Sequence, residues 1–246
     1  MSFAAATADR RQEMATSSGH TIKAFDEDLD RLRALISQMG GLAEHAIRES
    51  MRCLVQRDLE GAEKIVENDK KLDALEIETE KQVVRLIALR APMAGDLRDV
   101  VAALKISSVV ERIGDYAKNI AKRVPLLDKV HNIEPVSLMP EMARISTEMV
   151  HDVLNAFVER DAEAAVRVVE RDRAVDDFYN SIFRALLTFM MENPSNIGQS
   201  THLLFIAKNI ERVGDHATNI AEMVYFAATG EHLADRPRGH SPLDPQ

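Results

Sequence analysis

The feature that most constrains the fold is a segment that the chain contains twice. Residues 111–124 read ERIGDYAKNIAKRV and residues 211–224 read ERVGDHATNIAEMV, with nine of the fourteen positions identical. An internal repeat of this kind at a fixed separation is typical of two copies of one structural unit. The sequence therefore predicts a chain built from two related halves.

Each copy carries two carboxylates and an amide at a spacing of four residues. They are Glu111, Asp115 and Asn119 in the first copy, and Glu211, Asp215 and Asn219 in the second. In an α-helix a step of four residues returns to nearly the same direction. Apolar residues such as Ile113 and Ile120 fall roughly opposite this stripe. Each copy is therefore predicted to be an amphipathic helix whose carboxylates point away from its apolar seam.

The composition favours a helical protein. Of the 246 residues, 46% are hydrophobic and only 4% are aromatic, which is typical of helix bundles. A net charge of −9 without a basic run argues against a nucleic-acid partner. The single cysteine, Cys53, suits a reducing compartment. No apolar run approaches a membrane span of about 20 residues, and no signal peptide is recognised. The expected location is cytoplasmic, with any contact to the inner membrane made through partners.

Hydrophobic periodicity and the positions of glycine and proline predict six helices, three in each half. We expect them at about 21–57, 59–90 and 97–124, and at about 142–159, 161–191 and 197–228. A second repeated segment supports this division into halves, because residues 56–73 are similar to residues 159–176 at an offset of 103. Three antiparallel amphipathic helices can close a core together. The predicted fold class is all-α: two tandem antiparallel three-helix bundles related by an internal repeat.

The predicted boundaries follow from these helices. They are a disordered N-terminal tail over 1–20, a first bundle over 21–124, a linker over 125–140, a second bundle over 141–229 and a disordered C-terminal tail over 230–246. The linker contains three prolines, and the C-terminal tail is rich in proline. Asp58 and Asp96 are predicted to open the second and third helices.

The second helix of each half carries its own pair of carboxylates at the same spacing: Asp69 with Asp73, and Asp172 with Asp176. If the second and third helices are antiparallel neighbours, each half offers four carboxylates on one patch. Such hard oxygen ligands suit Fe, Mn, Mg or Ca, and can accept Zn. The alternative is a solvated acidic face whose charge is offset by nearby cations such as Lys118 and Lys208.

Two other features carry less information about function. His216 stands where the first copy has Tyr116, so it is not part of a site shared by both halves. Asp96 and Arg98, in RAPMAGDLRDV, have no counterpart in the second half; such a pair is usually a helix cap and a salt bridge. No phosphate-binding loop of the Walker type is present.

The doubled motif, with PMAGDLR before its first copy, resembles the PhoU family of phosphate-uptake regulators. The resemblance covers residues 20 to about 228. It implies two three-helix bundles that bind multinuclear iron or zinc clusters through acidic motifs, here the eight carboxylates named above. It leaves open whether Asn119 and Asn219 touch the metal. It also implies a negative regulator of the phosphate-starvation response, partnered by the ATPase of the phosphate ABC transporter and a sensor histidine kinase.

Three kinds of function are therefore weighed. The first is a regulatory adaptor, which is not an enzyme. The second is a carboxylate-bridged metalloenzyme, against which the outward carboxylates argue, because such centres are directed into the core of a bundle. The third is a helical scaffold that binds no metal. A homodimer is compatible with all three.

Overall fold

The computed structural model describes residues 3–127 and 134–233, and every long element in it is an α-helix. The helices are α1 Phe3–Gln56, α2 Leu59–Arg90, α3 Ala94–Ala121, α4 Met139–Glu159, α5 Ala162–Glu192 and α6 Ile197–Thr229. Short 3-10 helices lie at Val124–Leu126, Glu134–Leu138 and Pro194–Asn196. The predicted fold class is confirmed.

The chain turns where local chemistry ends one helix and begins the next. Asp58 accepts a hydrogen bond of 2.8 Å from the backbone N–H of Gly61, and Asp161 accepts one of 2.9 Å from that of Ala164. Arg57 and Arg160, both with φ of 57°, adopt the left-handed conformation that ends the preceding helix. The two bundles thus use the same turn at matching positions of the repeat.

Each bundle closes on its own three helices, and the two bundles also share an interface. Helix α2 packs on α1 and α3, while α5 packs on α4 and α6. Between the bundles, α3 packs against α6 and α1 against α4. The apolar seams of the duplicated segment supply much of this core, because Ile113, Ile120, Val213 and Ile220 are fully buried. Helices α2 and α5 therefore flank a central group formed by the other four.

The start of the first helix differs from the prediction. Helix α1 begins at Phe3, so the expected disordered tail over 1–20 is wrong for residues 3–20. This segment contains many strong helix formers, Ala, Arg, Glu, Gln and Met, which outweigh its Ser-Ser-Gly stretch. Helix α1 also continues through Gly40 and Gly41 without a break.

Smaller differences occur at other boundaries. Helix α3 begins at Ala94, and Asp96 lies inside its first turn rather than capping it. Within the predicted linker, the described residues form two 3-10 helices and the start of α4, while 128–133 lie outside the described residues. Gly230, with φ of 81°, ends α6, and most of the predicted C-terminal tail, 234–246, lies outside the described residues.

Candidate functional site

The carboxylates of the first bundle meet where α2 packs beside α3. We call Asp69, Asp73, Glu111 and Asp115 the first acidic face. Gly114 brings the two helices close together, because a Cβ atom at this position would lie 2.2 Å from Leu72 and 3.6 Å from Oδ1 of Asp69. The sequence prediction that the two pairs of carboxylates come together is reproduced in this arrangement.

In the first acidic face, Glu111 has a strongly raised pKa. Partial burial, together with the like charges of the nearby Asp115 and Glu76, raises the pKa of its carboxyl to about 7. Burial and neighbouring like charge both favour the protonated form of a carboxylic acid. Glu76 was not singled out by the sequence analysis, because it belongs to no repeated pair. The face thus holds more negative charge than its own surroundings neutralise.

A lysine from the duplicated segment holds part of the first acidic face. Lys118 donates a hydrogen bond to Asp69, across the gap between α3 and α2, and a second one of 3.1 Å to Asp115. The side chain of Asp69 is only 6% exposed, whereas that of Asp115 is 44% exposed. The carboxylates therefore line an inter-helix groove rather than a fully solvated ridge, which corrects the expected outward orientation. The period of a helix predicts a direction around its own axis, but not where the neighbouring helix lies.

The second bundle repeats this arrangement with a different lysine. We call Asp172, Asp176, Glu211 and Asp215 the second acidic face. A Cβ atom at Gly214 would lie 3.1 Å from Oδ1 of Asp172, which matches the approach at Gly114. Lys208 donates a bond of 2.6 Å to Oε1 of Glu211. The residue equivalent to Lys118 is Thr218, whose hydroxyl instead donates to the backbone oxygen of Asp215.

Among the four carboxylates of the duplicated segment, Glu211 is the most deeply buried. Its side chain is 12% exposed, and its Oε2 atom is buried without a hydrogen-bond partner. Burial raises the pKa of this carboxyl, although the bond from Lys208 acts in the opposite direction. An unpaired buried carboxylate oxygen is costly. A cation that contacted Oε2 would remove that cost.

Within the described residues, no group of three or more Asp, Glu, His or Cys side chains is arranged to hold a metal ion as it stands. The donor set nevertheless fits a hard cation, because it offers mutually repelling carboxylates and one unpaired oxygen. Binding would require the carboxylates to close around the ion, with Lys118 and Lys208 displaced. The metal assignment of the eight carboxylates stays a prediction.

The two asparagines of the motif have different surroundings. The side-chain nitrogen of Asn219 lies 3.4 Å from Nδ1 of His216, whereas Asn119 is exposed. His216 in turn stacks on Tyr116 with ring centroids 5.4 Å apart, and its Nε2 lies 2.9 Å from the tyrosine oxygen. Equivalent positions of the two repeats therefore touch each other across the α3–α6 interface. The repeat aligns these two positions in the sequence, but nothing local in the sequence predicts their contact.

A buried ion cluster also joins the bundles near the loop that has no counterpart in the second half. Asp99 of α3 is 3% exposed and lies 3.2 Å from Arg160 and 3.7 Å from Arg33. Burial raises its pKa, while the two arginines oppose the rise. Arg98 does not form the expected pair with Asp96. Its Nε instead donates a bond of 3.5 Å to the backbone oxygen of Ala227 in α6.

Comparison with known proteins agrees with this doubled architecture. The family model described as the PhoU domain matches the chain twice, over residues 36–124 and 139–224. The chain belongs to the PhoU family. A relative from Zymomonas mobilis, named phosphate-specific transport system accessory protein PhoU homolog, is 56% identical over 92% of this chain and 95% of its own. A relative of the same name from Caulobacter vibrioides is 47% identical over 89% of this chain and 96% of its own.

Two solved structures have the same fold. PhoU from Pseudomonas aeruginosa is 32% identical, covers 84% of this chain and all of its own, and superposes with a TM-score of 0.77. The phosphate transport system regulatory protein PhoU from Streptococcus pneumoniae is 29% identical, covers 85% of this chain and 99% of its own, and has a TM-score of 0.79. None of the helices in the described part of the chain is both long and apolar enough to span a membrane.

Proposed function

We propose that the protein is an accessory regulator of phosphate-specific transport that restrains phosphate uptake and the phosphate-starvation response. The observation that carries the proposal is its membership of the PhoU family along both halves of the chain. Relatives that align over about nine tenths of it are named as accessory proteins of the phosphate-specific transport system. The proposed role is regulatory rather than enzymatic.

In the proposed mechanism the chain is an adaptor in the cytoplasm. It docks on the ATPase of the phosphate ABC transporter and on the sensor histidine kinase, and holds the kinase in its off state when phosphate is plentiful. Two bundles joined through α3 with α6 and α1 with α4 form one body with two related outer surfaces. Such a body suits the bridging of two partners.

We further propose that each acidic face binds metal cations, with iron or zinc clusters as the first candidates. The first acidic face would use Asp69, Asp73, Glu111 and Asp115, and the second acidic face Asp172, Asp176, Glu211 and Asp215. A bound cation would supply positive charge that relieves the repulsion around Glu111 and satisfies Oε2 of Glu211. Metal would thereby link the outer helix of each bundle to the central group.

The regulatory role is tested by deleting the gene in its own host and measuring transcription of phosphate-starvation genes in phosphate-rich medium. We expect these genes to become constitutively expressed and the wild-type gene to restore repression. Unchanged, repressed expression in the deletion strain would refute the role. Complementation with Glu111→Ala/Asp115→Ala then asks whether the regulatory role needs the first acidic face.

Docking on partners is tested separately by affinity purification from the native host at high and low phosphate. We expect the transporter ATPase and the histidine kinase among the proteins that co-purify at high phosphate. Recovery of neither at both phosphate levels would contradict the adaptor mechanism.

A further inference from the structure

A pocket of about 510 Å³ opens between α1 and α2 of the first bundle. Its floor is apolar and includes Leu42, Ala46, Ile65 and Leu72. Pockets that bind small molecules have volumes of about 300–1,000 Å³, apolar walls and a few polar groups. The volume and lining of this pocket therefore match those of a small-molecule site.

The internal repeat places different residues along this groove in the two bundles. Helices α1 and α4 end at Gln56 and Glu159, so the offset of 103 also aligns these two helices. At this offset Ala46 corresponds to Met149, which is fully buried in the second bundle. Gly61 likewise corresponds to Ala164. At these two positions the first bundle therefore carries the smaller side chain.

A second difference removes a bridge across the groove. In the second bundle Arg171 of α5 donates hydrogen bonds to Glu148 and Asp152 of α4. The corresponding residues in the first bundle are Asn68 for Arg171 and His45 for Glu148. This pair offers neither the charge nor the length to close the gap, so the pocket remains accessible.

The carboxylates that line the pocket already have cationic partners. Arg52 donates hydrogen bonds to Glu49 and Asp58, and Lys64 donates one to Glu60. Asp69, at the end next to the first acidic face, accepts a bond from Lys118.

Three polar residues of the lining remain available to a ligand. His45, Asn68 and Lys71 line the pocket, and within the described part of the chain none of them makes a hydrogen bond or an ion pair. Lys71 replaces Ala174 of the second bundle, so it adds a positive charge that the repeat does not require. These groups can recognise an anionic substituent while the apolar floor holds the rest of the ligand.

We propose that this pocket binds a small organic anion, one that joins an apolar or aromatic body to a phosphate, sulfonate or carboxylate group. The body packs on Leu42, Ala46 and Leu72, and the anion lies near Lys71 and His45. The pocket adjoins the first acidic face, because Asp69 belongs to that face and also lines the pocket. Binding is measured on the purified protein, so its outcome does not depend on the proposed regulatory role.

The test uses 8-anilinonaphthalene-1-sulfonate, a fluorescent probe with an aromatic body and one anionic group. N-phenyl-1-naphthylamine, which lacks the sulfonate, is the neutral probe. We expect saturable binding of the sulfonate and its displacement by AMP more readily than by adenosine or inorganic phosphate. Displacement by inorganic phosphate as readily as by AMP would overturn the role of the apolar floor, and displacement by adenosine as readily as by AMP would overturn that of the anion.

Two variants locate the probe. Ala46→Met/Asn68→Arg replaces two pocket residues by their counterparts in the second bundle. Because the larger side chains fill the pocket, this variant should weaken sulfonate binding at least about tenfold. Lys71→Ala should weaken it about threefold and leave binding of the neutral probe unchanged. Lys81→Ala, an exposed lysine ten residues further along α2, is the matched control and should change neither. Equal sulfonate affinity in wild type and in both pocket variants would overturn the proposal.

Discussion

The pKa of Glu111 reports the combined effect of burial and of the like charges around it in the first acidic face. This pKa is about 7 in the folded protein against an ordinary value of 4.5. Between these two values the folded protein holds a proton that the unfolded chain has released. The free energy of unfolding therefore falls as the pH rises through this window, and Glu111→Gln should remove that loss.

The magnitude follows from the same values. At 1.36 kcal/mol per pH unit, the full difference corresponds to about 3 kcal/mol. Because Glu111 is partly exposed, solvent screening reduces this to about 1 kcal/mol. In metal-free protein Glu111→Gln should therefore be more stable than wild type by about 1 kcal/mol at pH 8 and equally stable at pH 4.5.

The assay is urea denaturation followed by circular dichroism at both pH values, with a chelator present. Glu80→Gln, a change at an exposed glutamate of α2, is the matched control for loss of one negative charge. If the two variants gained the same stability at pH 8, the reasoning that burial and like charge destabilise the ionised carboxylate of Glu111 would be refuted.

Further predictions concern stability and cation binding. Gly41→Ala should stabilise the protein by about 1 kcal/mol, because nothing lies within 4 Å of the added Cβ. Gly40→Ala should destabilise it by about 1 kcal/mol or more, because its Cβ would lie 2.2 Å from buried Leu154; thermal unfolding of the two variants compares them, and an equal shift contradicts the packing. Asp99→Asn should cost less than about 1 kcal/mol in urea denaturation at pH 7, because burial raises the pKa of Asp99 despite the two arginines, and both arginines stay partly exposed; a loss above about 3 kcal/mol would show that the ion pairs outweigh the cost of burial. Lys118→Met should tighten binding of Mn²⁺ to the first acidic face in calorimetric titrations, because two carboxylates lose their cation; weaker binding would contradict competition between lysine and metal.

Local sequence patterns were sufficient to predict much of the fold. Helix α2 was expected at about 59–90 and lies at Leu59–Arg90, since Asp58 caps its start and Pro92 follows its end. Helix α6 was expected at about 197–228 and lies at Ile197–Thr229. These limits depend on capping and proline chemistry that acts within a few residues of the chain.

The features missed by sequence reasoning depend on contacts between distant residues. Asp99 is surrounded by Arg33 and Arg160, which lie 66 positions before it and 61 after it in the chain. Nothing local distinguishes this aspartate from the exposed Asp96 beside it. The same reason applies to the contact between Tyr116 and His216, which only the packing of α3 on α6 creates.

The sequence predicted which carboxylates lie near one another, but not how deeply their side chains are buried. Spacing placed Asp69 near the duplicated carboxylates, yet only the neighbouring helix shows that its side chain is 6% exposed. Lys118 was recognised as a nearby cation, and the structure adds that it connects α2 to α3. The lysine of the second half, Lys208, occupies a different position, so the repeat could not be used to infer one from the other.

The central claim, that both acidic faces bind metal, is tested most directly by elemental analysis of the protein purified from its own host without chelator. Wild type is compared with Glu111→Gln/Asp115→Asn, with Glu211→Gln/Asp215→Asn, and with the exposed control Glu80→Gln/Glu163→Gln. We predict bound metal in the wild type and the control, and loss of the metal of one face in each site variant. Equal, near-zero metal in all four proteins would contradict the claim and favour a helical scaffold that binds no metal.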